Sequence, residues 1–322
     1  MRPTPLPNCA AFALTLAVCL GGCSKIIGGW HARAGLDAED FFDDPQVIAL
    51  CEAIEANDLE AMDRLIAEGA DVNAVGKAGV TPLLWAFPED KFERFEKLLQ
   101  HGADPNVLMT DAAAVNRAFP EGHAVTHLAF GSSFDRHWRA VLEHGGDPNL
   151  TTQGRRAGVL PVLHVTIRGR GANKIERVRA LAEAGADLDA RGVGGVTPAM
   201  RALLWGGQYD LAAELVRLGA SLDVRQHIYQ TNVGLRTLPH FVAEELLKPR
   251  PAAPDLTESL QGLVDLLERE GVDMDAAKQD IVRWRGISGT PLQRKRAFLA
   301  EAREIAAKEK ATQAAEQQDA AN

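Results

Sequence analysis

Pairs of adjacent aliphatic residues recur along the chain, each followed within a few positions by a glycine. Leu98–Leu99 precede Gly102, Val141–Leu142 precede Gly145, Leu215–Val216 precede Gly219, and Leu266–Leu267 precede Gly271. Each pair reads as the apolar ridge of an amphipathic helix, and the glycine suits a left-handed C-cap. Upstream lie shorter apolar runs introduced by Thr-Pro: Thr81-Pro82 in "GVTPLLWA" and Thr197-Pro198 in "GVTPAMRA". Threonine caps a helix start and proline suits its first turn. The pattern predicts two antiparallel helices and a projecting loop, repeated.

The glycines make the repetition explicit. They stand second in "EGADVNA", "HGADPNV", "HGGDPNL", "AGADLDA", "LGASLDV" and "EGVDMDA", at Gly69, Gly102, Gly145, Gly185, Gly219 and Gly271, spaced by 33, 43, 40, 34 and 52 residues. Two of the spacings match the ankyrin period, and the longer ones imply insertions. The Thr-Pro segments resemble the ankyrin signature, with weaker copies in "VTHLAF", "LPVLHV" and "LPHFVA". The resemblance implies an all-α ankyrin-repeat solenoid of about six helix-turn-helix repeats over residues 45–276, with residues 277–322 forming a C-terminal capping helix and a solvated tail. Ile281, Val282 and Trp284 are expected to hold that helix, and Phe41 and Phe42 to dock on the first repeat. The longer connections are 108–125, "GRGAN" (Gly169–Asn173) and 246–259; loops of such length are often functional.

The amino-terminal pattern is different. Ala10–Leu20 is an apolar run of about eleven residues behind Arg2. It is too short to span a bilayer, which takes about 20 residues, and fits a secretory h-region. "LGGC" (Leu20–Cys23) resembles the lipobox of bacterial lipoproteins, which implies cleavage after residue 22 and acylation of Cys23. The alternatives are an ordinary signal peptide or a buried helix. Residues 23–44 then read as an acidic tether. Ser24 after the cysteine resembles passengers sorted to the outer membrane, facing the periplasm. Cys9 and Cys19 would be removed and Cys23 acylated, leaving Cys51 with no partner for an internal disulfide.

Composition narrows the function. The net charge is −9, and a nucleic-acid partner is not expected. No phosphate loop, HExxH, GxSxG or CxxC motif occurs, so neither an enzyme nor a cofactor is expected. His101 and His144 sit at helix ends, where the dipole favours them. His164 and His240 fall inside the degenerate signature, where a side chain makes core hydrogen bonds. His123 and His127 are four apart without a nearby Cys or Glu, and no metal is expected there.

Ankyrin arrays bind proteins through their loops and the ends of their first helices. Counting eight residues from the Thr position of each signature gives the column Ala56, Glu89, Phe134, Arg168 and Trp205, to which the loops add Lys77, Arg155 and Arg156. Aromatic residues and arginine are enriched at interface hot spots. The competing reading is that Phe134 and Trp205 fill gaps in the core; Trp85 is read as core. The segments "TPLLWAFPEDKFERFEKLLQHGADPNV", "VTHLAF" and "WGGQYDLAAEL" together resemble ankyrin lipoproteins encoded beside type VI secretion effectors, notably phospholipases. That resemblance implies an immunity protein, monomeric when free, which holds a toxin inactive. The alternative is a general envelope scaffold supporting a periplasmic enzyme or assembly.

Replacing Cys23 by Ser is expected to leave an unprocessed precursor without fatty-acid label. Palmitate incorporation by the variant, with continued outer-membrane fractionation, would refute the lipobox reading.

Overall fold

A computed structural model describes residues 29–111, 119–153, 159–226, 236–249 and 254–287, with scattered helical positions between 293 and 307. Within them the protein is all-helical, apart from one isolated antiparallel bridge between Thr151 and Pro161. The short helix α1 (Trp30–Ala34) precedes six helix pairs: α2 (Pro45–Ala56) with α3 (Leu59–Ala67), α4 (Pro82–Ala86) with α5 (Phe92–Gln100), α6 (Val125–Gly131) with α7 (Asp135–Glu143), α8 (Val162–Arg168) with α9 (Lys174–Glu183), α10 (Pro198–Leu204) with α11 (Tyr209–Arg217), and α12 (Leu238–Leu246) with α13 (Pro254–Arg269). Helix α14 (Met274–Gly286) follows and packs on both α12 and α13. None of these helices is long and apolar enough to cross a membrane.

Each helix touches its partner, and counterparts in neighbouring pairs meet at several places: α2 on α4, α6 on α8, α8 on α10 and α10 on α12, with α5 on α7, α9 on α11 and α11 on α13 behind them. The aliphatic ridges meet there; Leu98, Leu99, Val141, Leu215 and Leu267 are buried. Thr81 Oγ1 accepts from Leu84 N at 3.1 Å and Thr197 Oγ1 from Met200 N at 3.4 Å, each with proline in the first turn. The six recurrent glycines all have positive φ, between 82° and 104°.

The loops are tied to one another by side-chain amides. Asn73 donates to Gly102 O and accepts from Asp104 N; Asn106 does the same with Gly145 O and Asp147 N, and Asn149 with Gly185 O and Asp187 N, at 2.7–2.9 Å. Asp189 stands at the next position. A carboxylate cannot donate, and Asp189 only accepts from Ser221 N, at 3.0 Å.

A second set of bonds closes the helix ends. Arg94, fully buried in α5, donates to Ala86 O at 3.2 Å and to Ile54 O at 2.9 Å, the last turns of α4 and α2. Arg177, fully buried in α9, donates to Phe130 O at 3.0 Å and Ser132 O at 2.8 Å at the end of α6, and pairs with Asp135 at 2.7 Å. Gly171 admits that guanidinium: a Cβ there would lie 2.4 Å from Arg177 Cζ. Lys174 donates to Ile167 O at 2.7 Å, at the end of α8.

Several expectations need correction. Residues 254–259 are not loop but the opening turns of α13, where Pro254 and Asp255 suit a helix start and its dipole. Val282 is 56% exposed, so of the three expected residues only Ile281 and Trp284 hold α14, together with the buried Met274 and Ala277. The segment 23–44 is more than a tether from Trp30 onward: α1, Phe41 and Phe42 are packed on the first two pairs, with Phe41 5.6 Å from the Trp85 ring. Trp85 is core, fully buried, with Nε1 donating to Glu55 at 3.0 Å. Cys51 is also buried, which pushes its thiol pKa up and leaves it unreactive at neutral pH.

Gly185 has φ +88° with no atom within 4 Å of where a Cβ would sit, so a side chain there meets only backbone strain. Gly185→Val is expected to cost about 2 kcal/mol, and Gly185→Ala about 1 kcal/mol. An unchanged denaturant midpoint in the valine variant would contradict the cap geometry.

Candidate functional site

The ends of the first helices α4, α6, α8 and α10 frame a groove of about 810 Å³. Its floor exists because two glycines face each other. A Cβ on Gly169 would lie 2.7 Å from Gly131 O, and one on Gly131 would lie 3.0 Å from Val165 Cγ1. The missing side chains let α6 and α8 approach until Arg170 N donates to Gly131 O at 3.0 Å. Phe87, Leu128, Leu160 and Val165 supply apolar walls.

Trp205 and Arg168 stand at the rim. Helix α10 stops at Leu204, and Gly206 and Gly207 both take positive φ, 88° and 64°. The extra residue in "LLWGGQYD" is therefore absorbed as a bulge that turns the indole outward, 46% exposed. Gln208 Nε2 donates to Trp205 O at 2.6 Å and fixes its backbone. The Arg168 guanidinium lies over the ring, 4.7 Å from its centroid, a cation–π contact.

Histidines line the back of the groove. His127 Nδ1 accepts from Ala124 N at 3.2 Å, so the proton sits on Nε2, which donates to Leu150 O at 3.2 Å. His164, one pair on and outside the groove lining, likewise donates from Nε2 to a loop carbonyl, Ala190 O at 2.8 Å, while its Nδ1 accepts from Arg201 Nε at 3.4 Å. Burial lowers both pKa values to about 4. His123, whose Nδ1 donates to Glu121 O at 3.1 Å, is also held low by burial, assisted by the Arg168 charge. The imidazoles facing the groove are thus neutral at pH 7, and its positive charge is carried by Arg168 and Arg170.

The observed helix starts correct the counted column. The N-caps are Thr81, Ala124, Pro161 and Thr197, not Thr126 and Leu160. Thr126 is buried, its hydroxyl donating to Pro105 O at 3.1 Å. Equivalent positions are therefore Glu89, Ser132, Gly169 and Trp205, and the small residues in the middle leave the groove open. Phe134 lies two residues beyond its slot, half-buried against Phe87 and His137 at 5.6 and 4.9 Å, and does not line the groove. Glu89 is drawn into an internal cluster, paired with Lys91 at 3.3 Å, Arg33 of α1 at 3.4 Å and Arg94 at 3.9 Å. Ala56 ends α2 and is exposed, and Lys77 is exposed on its loop. Of the predicted set, only Arg168 and Trp205 come together. Cys23, Arg155 and Arg156 lie outside the described residues.

The sequence reading missed Arg170, the two floor glycines and α1. His31 is buried with its ring 4.5 Å from that of Trp85, and Nε2 donates to Trp85 O at 2.8 Å. Trp30 packs 5.4 Å from Phe119, next to Pro120 on the groove edge. The amino-terminal helix thus covers the face beside Glu89 and borders the groove. Glycines at the end of α6 and after α8 were the available signal for the floor; nothing local announces α1.

No family model matches the chain. A stretch of 59 residues, 18% of the chain, is 44% identical to the mitochondrial disaggregase of Homo sapiens, 8% of which is covered. A stretch of 83 residues, 25% of the chain, is 36% identical to the mitochondrial disaggregase of Bos taurus, 12% of which is covered. The chain spans about a tenth of the length of these curated relatives.

His31, His127, His137 and His164 are buried with pKa values lowered to about 4, burial being the main cause in each. An unfolded histidine titrates near 6.5. Between these values the unfolded chain binds more protons than the folded one, so stability falls as pH falls. Lowering the pH from 7 to 4.5 is expected to remove at least about 2 kcal/mol of unfolding free energy. Denaturant melts that stay flat across this range would refute the buried neutral state.

Proposed function

We propose that the stacked helix pairs are ankyrin repeats and that the protein is a lipid-anchored, periplasmic protein-binding module whose partner seats in the groove. The observation that carries this reading is Trp205: an indole nearly half exposed at the rim, with Arg168 over its face. Tryptophan and arginine dominate binding energy where they anchor a partner in a desolvated pocket. The recurrent loops, the Thr-Pro helix starts and the pairwise packing support the repeat assignment. The likeness to ankyrin lipoproteins encoded beside secreted phospholipase effectors gives the partner class: a toxin held inactive at the periplasmic face of the outer membrane.

Trp205→Ala and Arg168→Ala are each expected to weaken partner binding by about 2 kcal/mol or more. The denaturant midpoint should change little, since neither side chain is buried. A core role for Trp205 would instead cost about 3–5 kcal/mol of stability. In cells producing the neighbouring effector in the periplasm, the wild-type chain should protect and the double variant should not, at equal abundance. Equal protection by both removes the groove from the mechanism. Failure of the wild type to protect favours the scaffold role.

A further inference from the structure

The chain carries 44 acidic and 35 basic residues, yet the groove is lined by two arginines and no carboxylate. Arginines on the second helices are neutralised where they stand: Arg136 by Glu93 at 3.2 Å, Arg179 by Glu214 at 2.6 Å, and Arg139 by Glu176. Among the described residues no carboxylate is paired with Arg168 or Arg170. Arg168 is exposed, with its guanidinium over the Trp205 ring; a guanidinium binds a carboxylate in a fork through its N–H edge. The same groove has an apolar floor, opened by Gly131 and Gly169 and walled by Phe87 and Val165. A positive rim over an apolar floor, on a protein that is negative as a whole, selects a ligand with carboxylates flanking an apolar side chain.

We infer that the groove binds an acidic peptide segment of the partner, with carboxylates on Arg168 and Arg170 and an aliphatic or aromatic side chain lowered onto the floor between α6 and α8. This rests on the reading that the groove binds protein, and it specifies the partner's chemistry. The concavity argues against a flat anionic bilayer, and the apolar floor argues against a bare phosphate.

The test uses the full chain and three fluorescein-labelled twelve-residue peptides. They share the same Leu and Phe positions and carry Glu, Gln or Lys between them. Binding is read by anisotropy at low and moderate salt. The Glu peptide is expected to bind at least about ten-fold tighter than the other two, and to weaken as salt rises. Arg168→Gln and Arg170→Gln should each lower its affinity about ten-fold, while Arg136→Gln on α7 leaves it unchanged. Equal or tighter binding of the Lys peptide, no binding of the Glu peptide, or indifference to Arg170→Gln overturns the inference. So does stronger, Arg170-dependent binding to phosphatidylglycerol vesicles. The reading beneath it fails separately: if the inference is wrong but Trp205→Ala still weakens binding of the cognate partner, the groove remains a protein site of different chemistry.

Discussion

A helix of five or seven residues is mostly ends. Helix α4 has five residues and α6, α8 and α10 have seven each, and an α-helix leaves its last four carbonyls without partners. In these helices the unpaired groups are the rule, and several are buried. The structure answers with long donors sent across from the second helices. Arg94 serves α4 and α2, Arg177 serves α6, and Lys174 with Gln208 serves α8. A buried cation is costly on its own, but one surrounded by carbonyl oxygens is solvated by them. The ends of α2 and α6 are thereby completed by the pair beside them, and those of α4 and α8 by the second helix of their own pair, with Gln208 of the next pair also reaching α8.

The same constraint decides which residues remain exposed at the groove. Where a donor closes a helix end from behind, the side chains at that end are left to face outward. Arg168 follows the carbonyl that Lys174 holds, and Trp205 follows the last turn of α10 with its own carbonyl held by Gln208. Their positions at the rim come from backbone bonding and from the glycines around them. Glu89, at the matching place on α4, was drawn the other way, toward Arg94 and α1. One structural solution thus produces a charged cluster at one end of the face and an open groove at the other.

Much of the fold was legible because its signals are local. Glycine at a left-handed cap, proline in a first turn and paired aliphatics before a loop are each decided by a few neighbouring residues. The site was legible only in part. The register of α6 slipped because Thr126 resembles a cap, whereas the cap position holds Ala124, which has no oxygen to offer. His127 completes that end by accepting the Ala124 N–H, half of a reciprocal capping arrangement built without a capping residue. Pro161 misled the count on α8 in the same way. Helix α1 was invisible for another reason: its place is set by His31 reaching Trp85, 54 residues away, and no window of sequence contains both.

That docked helix also has a mechanical meaning. Cys23 precedes Trp30 by seven residues, a distance that no conformation of the chain can stretch beyond about 25 Å. With the acyl chains proposed at Cys23, the leash would end beside the groove rather than at the far end of the stack. The groove would then stand within a short radius of the bilayer, and whatever it held would be kept close to the membrane surface.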